Sequence, residues 1–148
     1  MTAPFIMLVD DEVSFVEITA KRLAKRNIKT VMAFSAEEGL VKLKENRDLD
    51  VIVLDIKMPG MDGIEALKEI KRLSPLVEAI MLTGHATIEL AVDAMKLGAH
   101  DFLMKPFEIE ELVLKMQEAA EKKQQHEERI KKALKEETLA KYGPFYYT

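Results

Sequence analysis

The strongest constraint on this chain is a recurrence of pattern, not of residues, in its first 105 positions. Five short apolar runs occur there: Phe5–Val9, Thr30–Ala33, Val51–Leu54, Ala79–Leu82 and Phe102–Met104. The first and third lack polar alternation, as expected of strands buried on both faces of a parallel sheet. Segments with helical spacing lie between the runs. Val16, Ala20 and Leu23 line the first of them, and Ala36, Leu40 and Leu43 the second. Ile64, Leu67 and Ile70 line the third, and Ile88, Ala91, Val92 and Met95 the fourth. Ser35 with Glu38 has capping-box spacing, Asp62 with Glu65 repeats it, and Gly98 stands where the fourth helix should stop. The alternation predicts an α/β fold of the (βα)₅ type, a doubly wound parallel sheet with helices on both sides.

From Glu108 the pattern changes. Residues 108–148 hold no Gly or Pro before the Gly143-Pro144 pair. Ile109, Leu112, Val113, Met116 and Ala120 make an amphipathic stripe, Glu121–Arg129 is almost wholly polar, and Ile130, Ala133, Leu134 and Leu139 resume the stripe. The segment predicts one helix of about 34 residues, roughly 50 Å long. Its length exceeds what a globule of this size needs. We therefore divide the chain into a domain over residues 1–120 and a helical extension with an aromatic end over 121–148.

Charge and composition narrow the functional classes. Net charge is −4, but residues 1–120 carry 15 basic against 21 acidic residues, and 121–148 carry 7 against 5. An acidic body and a nearly neutral tail argue against direct nucleic-acid binding. The absence of cysteine excludes disulfides and thiolate-bound metals. No apolar run approaches membrane-spanning length. These features suggest a cytoplasmic protein that does not contact membranes.

In a doubly wound sheet, ligands bind beyond the carboxyl ends of the strands. That rule selects Asp10, Asp11 and Glu12 after the first run, Asp55 after the third, Thr83 and Gly84 after the fourth, and Lys105 and Pro106 after the fifth. Clustered carboxylates repel one another unless a cation neutralises them. Oxygen donors without His or Cys suit a hard cation such as Mg²⁺. A lysine and a threonine beside that cation suit phosphate. Together they describe a phosphoryl-transfer site with a carboxylate nucleophile. The D-x-D pair of aspartate-nucleophile phosphatases is missing, because Lys57 stands two after Asp55 and Asp10 and Asp11 are adjacent.

The segments V-D-D-E (Val9–Glu12), L-D-I-K-M-P-G-M-D-G (Leu54–Gly63), L-T-G-H-A (Leu82–Ala86) and F-L-M-K-P-F (Phe102–Phe107) resemble the receiver domain of two-component response regulators. The likeness spans about residues 4–120 and is greatest to receivers of the nitrogen-regulation and dicarboxylate-transport class. It implies the flavodoxin-like strand order 2-1-3-4-5. It also implies that Asp55 accepts phosphate from a sensor histidine kinase or a histidine phosphotransfer protein. Asp10, Asp11, Asp55 and the backbone carbonyl of Lys57 would hold Mg²⁺, or Mn²⁺ in its place. Thr83 and Lys105 would bind the phosphoryl group, the Lys105–Pro106 bond would be cis, and Phe102 would be the switch aromatic. Phe102 lacks the hydroxyl of the tyrosine common at that position. Lys57 and His85 would tune loss of the phosphate.

A phosphate-driven change should act on the fourth helix, fifth strand and fifth helix. Leu90, Ala94 and Leu97 form a second apolar stripe on the fourth helix and are the expected partner surface. A homodimer could use that face or the C-terminal helix. Taking Ile109 as position a, the coiled-coil core would run Leu112, Met116, Ala119, Lys123, His126, Ile130 and Ala133, with a poor middle. The tail reads equally as a linker from a larger regulator or as an extension of a stand-alone receiver. Tyr142, Tyr146 and Tyr147 crowd its end as an aromatic docking element. No helix-turn-helix or ATPase P-loop motif occurs in these 148 residues. The leading reading is a phosphorylation-controlled signalling switch with self-phosphorylation and slow dephosphorylation but no metabolic turnover. The alternatives are the receiver portion of a DNA-binding or ATPase transcriptional regulator, and a phosphate-independent scaffold.

Overall fold

The computed structural model describes residues 3–144. Strands β1 (Ile6–Val9), β2 (Thr30–Ala33), β3 (Val51–Asp55), β4 (Glu78–Thr83) and β5 (Asp101–Met104) form one sheet in the order β2-β1-β3-β4-β5. Each neighbouring pair is parallel. Helices α1 (Val13–Ala24), α2 (Ala36–Glu45), α3 (Gly63–Leu73) and α4 (Ile88–Lys96) make the crossovers, and α5 (Ile109–Tyr142) follows β5. The unalternating runs are interior strands. β1 is buried throughout, and β3 is buried up to Asp55. The edge strands β2 and β5 are only partly buried.

Alternate strand residues feed two cores, as the two-residue period of a strand requires. Met7, Val9, Ile52, Leu54 and Met81 pack with Leu43, Leu67 and Ile70 on the side of α2, α3 and α4. Ile6, Leu8, Val53, Ile80 and Leu103 pack with Val16, Leu23, Leu112 and Met116 on the side of α1 and α5. The predicted caps form at α2 and α3. Ser35 Oγ accepts the Glu38 N–H at 3.1 Å, and Asp62 Oδ1 accepts the Glu65 N–H at 2.9 Å. Gly98 follows α4 at φ +101°, a conformation that glycine adopts without strain.

The structure corrects the reading of α4. Ala91 and Ala94 are both 0% exposed and face the core, whereas Leu90, Val92, Met95 and Leu97 are all exposed. Ala94 therefore cannot belong to an outward surface with Leu90 and Leu97, and Val92 and Met95 do not face inward. The inward stripe runs Thr87, Ala91, Ala94, at spacings of four and three. Small side chains face the sheet along this helix, and large apolar ones flank them on both shoulders.

In α5, Ile109, Leu112, Met116 and Ala119 are buried in the domain's own core. The first half of the expected coiled-coil series is thus already used. Lys122 and Lys123 then reach back to the amino-terminal edge of the sheet. Lys122 Nζ lies 3.1 Å from Glu78 Oε2, and Lys123 Nζ lies 3.3 Å from Asp50 Oδ1. Residues 128–137 are exposed on all sides, including Ile130 and Leu134. Tyr142 closes the helix in an exposed position, while Tyr146 and Tyr147 lie outside the described residues. Among the described residues, no helix is long and apolar enough to cross a membrane.

Candidate functional site

Because the strands are parallel, their carboxyl ends share one edge of the sheet. Asp10 directly follows β1, Asp55 ends β3, Thr83 ends β4 and Lys105 directly follows β5. Backbone contacts fix these ends. The Lys105 N–H donates to the Thr83 carbonyl at 2.8 Å, and the Ile56 N–H to the Leu82 carbonyl at 3.1 Å. Gly63, at the start of α3, donates its N–H to the Ile56 carbonyl at 2.7 Å. It packs so tightly that a Cβ there would lie 2.3 Å from the Asp55 carbonyl oxygen. The loop between β3 and α3 is held from α2, where Glu37 Oε1 accepts the Met61 N–H at 2.9 Å.

One cation bridges the carboxylates. Lys105 Nζ lies 2.6 Å from Oδ2 of Asp10, 3.7 Å from Oδ1 of Asp55 and 3.5 Å from Oε1 of Glu12. The other Asp10 oxygen accepts the Glu12 N–H at 3.0 Å. The lysine ammonium also sits 4.4 Å from the centroid of the Phe15 ring, a cation–π contact. Phe15 in turn meets Phe107 edge-to-face at 6.0 Å. The Lys105–Pro106 bond is cis.

Burial sets the electrostatics. It is the largest influence on Asp55 and, with the nearby Asp10 charge, pushes the Asp55 carboxyl up to about 6 against the opposing pull of Lys105. Burial also raises the Asp10 carboxyl, against its hydrogen bond to Lys105. For Lys105, burial favours the neutral amine, but the bond to Asp10 and the Asp55 charge outweigh it and raise the ammonium.

Asp10, Asp11 and Asp55 each offer a carboxylate oxygen within 4.8 Å of the others. The set is all oxygen, one member is fully buried, and the local charge is negative. This is the donor chemistry of a hard divalent cation.

The structure thus brings Asp10, Asp11, Asp55 and Lys105 together. Thr83 ends the neighbouring strand, but its Oγ1 lies 2.6 Å from Thr87 Oγ1. Lys57 is exposed in the loop after β3, and His85 is exposed at the start of a 3₁₀ turn, His85–Thr87, between β4 and α4. Phe102 is half-buried and packs against the core on the α4 side. Phe15, Glu37, Gly63 and Thr87 escaped the sequence reading as site residues. For Thr87 the sequence carries no clear signal, because Thr83 ends a strand and the four-residue spacing is not one turn of a common helix. Beside the site, Phe15, Ile18, Arg22, Pro106 and Phe107 line a groove of about 410 Å³.

Residues 6–117 match the family described as the response regulator receiver domain. The transcriptional regulatory protein ZraR of Salmonella typhimurium is 34% identical over 138 residues, covering 93% of this chain and 30% of that protein. The DNA-binding transcriptional regulator NtrC of Escherichia coli is 34% identical over 119 residues, covering 80% of this chain and 25% of that protein. The chain therefore spans less than a third of these curated relatives. Among solved structures, the receiver domain of NtrX from Brucella abortus is 37% identical with a TM-score of 0.74, covering 78% of this chain and 98% of that one. A response regulator receiver domain protein from Clostridium thermocellum is 34% identical with a TM-score of 0.79, covering 82% and 97%.

Proposed function

The chain belongs to the response regulator receiver family, and on that premise we propose that Asp55 is its phosphoacceptor. One observation carries the assignment. The carboxylates of Asp10, Asp11 and Asp55 converge within 4.8 Å at the carboxyl edge of the sheet, with the Lys105 ammonium among them. At neutral pH, an Asp55 carboxyl near 6 is largely ionised and able to attack.

In the proposed reaction, an Asp55 oxygen attacks the phosphorus of a phosphohistidine on a sensor kinase or phosphotransfer protein. The new O–P bond forms as the P–N bond breaks, and the leaving imidazole takes up a proton. Asp10, Asp11, Asp55 and the Lys57 carbonyl would hold Mg²⁺, which when bound supplies charge neutralisation for the phosphoryl oxygens. Lys105, released from Asp10, pairs with the phosphoryl group, and Thr83 donates its hydroxyl. The apolar groove beside Phe15 and Phe107 suits a docking segment of the donor protein.

The phosphoryl group adds about −1.5 to −2 charges and three acceptor oxygens. The pull on Lys105 and Thr83 acts on β5 and on the loop leading into α4. The output surface is the exposed apolar shoulders of α4, with β5 and α5, which the 2.6 Å Lys115–Asp101 pair ties together. It would take an output partner or a second copy of the chain. A second reading, the receiver unit of a longer transcriptional regulator, is favoured by the curated relatives, of which this chain spans 25–30%.

Beryllofluoride titrated into the full chain with Mg²⁺ tests the assignment by calorimetry. One molecule should bind per chain, and Asp55→Asn should abolish binding. Binding that survives Asp55→Asn would overturn the assignment.

A further inference from the structure

We propose that Thr87 is a positioning residue that holds the site in its resting arrangement by occupying two donors a phosphoryl group needs. Its Oγ1 lies 2.6 Å from Thr83 Oγ1 and accepts the Gly84 N–H at 3.0 Å. The cluster closes on the Gly84 carbonyl, which lies 3.1 Å from Thr83 Oγ1 and 3.3 Å from Thr87 Oγ1. Thr83 is 1% exposed and Thr87 is 9% exposed, so water cannot easily replace these bonds. The inference rests on the Asp55 reading and extends it.

Each hydroxyl carries one proton, and each N–H makes one strong bond. In the proposed resting arrangement Thr83 donates to Thr87 Oγ1, Thr87 donates to the Gly84 carbonyl and the Gly84 N–H donates to Thr87 Oγ1, so neither Thr83 nor Gly84 is free to donate to a new acceptor at the end of β3. A phosphoryl group on Asp55 offers three acceptor oxygens and charge-assisted bonds stronger than neutral ones. Thr83 and Gly84 then exchange Thr87 for the phosphoryl oxygens. Thr87 immediately precedes α4 and is the first residue of its inward stripe. Releasing it frees the first turn of that helix from the end of β4. The exchange thereby links the chemistry at Asp55 to the position of α4, whose contacts with the sheet side are alanine-sized.

A residue that merely supports the fold should weaken ligand binding when removed, whereas a resting-state latch should strengthen it. The full chain, saturated with Mg²⁺, is titrated with beryllofluoride for the wild type, Thr87→Val, Thr87→Ala and Thr87→Ser. The valine and alanine variants should bind about 3- to 10-fold more tightly, the span of one net neutral hydrogen bond. Serine keeps the hydroxyl and should restore the wild-type affinity. The gain should shrink in a Thr83→Ala background. In the unmutated chain, amide hydrogen exchange at residues 84–88 should rise when the mimic binds. Equal or weaker binding by both Thr87→Val and Thr87→Ala, a gain of undiminished size without Thr83, or unchanged exchange at 84–88 each overturns the latch while leaving the Asp55 assignment standing. Absence of Asp55-dependent binding in the wild type overturns both.

Discussion

The ammonium of Lys105 lies 2.6 Å from Asp10 but 3.7 Å from Asp55. The lysine therefore pairs with the buried Asp10 carboxylate more closely than with Asp55. If Asp10, Asp11 and Asp55 hold a divalent cation as proposed, that cation should compete with Lys105 for the Asp10 carboxylate. Lys105→Ala should bind Mg²⁺ several-fold more tightly than the wild type. It should also lose about 3 kcal/mol of stability in the metal-free state, because a buried carboxylate is left unpaired. Mg²⁺ should restore much of that loss. Calorimetric titration and urea unfolding with and without chelator check both parts.

Asp55 gives the metal-free protein a defined pH dependence. Its carboxyl is about 6 when folded, against an ordinary value of 3.8. The folded state holds this proton more tightly than the unfolded state. The resulting stability is fully present below 3.8 and is lost as pH rises through about 6. Asp55→Asn removes this loss. In chelator, it should be more stable than the wild type above pH 7 by on the order of 2 kcal/mol, with the gap closing toward pH 4. Parallel stability curves for the two proteins across that range would show that Asp55 is not buried as described.

Gly63 sets the position of Asp55 from behind. A Cβ at residue 63 would lie 2.3 Å from the Asp55 carbonyl oxygen and 2.7 Å from the Ile56 Cα, both backbone atoms. Gly63→Ala should displace the end of β3, cost about 1–3 kcal/mol of stability, and weaken Mg²⁺ binding through the shifted Asp55 backbone. Unchanged Mg²⁺ affinity in this variant would dissociate the glycine from the site.

At the opposite edge of the sheet, Glu78 is 3% exposed and pairs with Lys71 and Lys122, each at 3.1 Å. It joins α3 to the point where α5 leaves the domain. Glu78→Ala should destabilise the chain by about 2 kcal/mol. It should also speed amide exchange in residues 120–126 more than in the site loops. Uniform loss of protection across the chain would argue for a purely global effect.

The fold was legible because β1 and β3 are apolar without alternation and the helices between them keep clear caps. The candidate site was legible because strand ends in a parallel sheet share one edge, so Asp10, Asp55, Thr83 and Lys105 could be collected by position. Four features were not legible, for different physical reasons. Glu78 is charged and reads as a boundary, and only the lysines at 71 and 122, brought in by tertiary folding, make its burial tolerable. The sequence pattern places Ala94 outward with Leu90 and Leu97, whereas α4 turns its alanines to the sheet. Thr87 looks like an ordinary helix-start residue until β4 places the Thr83 hydroxyl beside it. The coiled-coil series in α5 misread its first half because Leu112 and Met116 serve the domain core.

The most direct test of the central claim is intact-mass measurement of the full chain after incubation with acetyl phosphate and Mg²⁺. The account predicts the addition of one phosphoryl group, dependent on Mg²⁺, mapped to Asp55 and absent in Asp55→Asn. No addition under these conditions, or an addition that persists in Asp55→Asn, would contradict it.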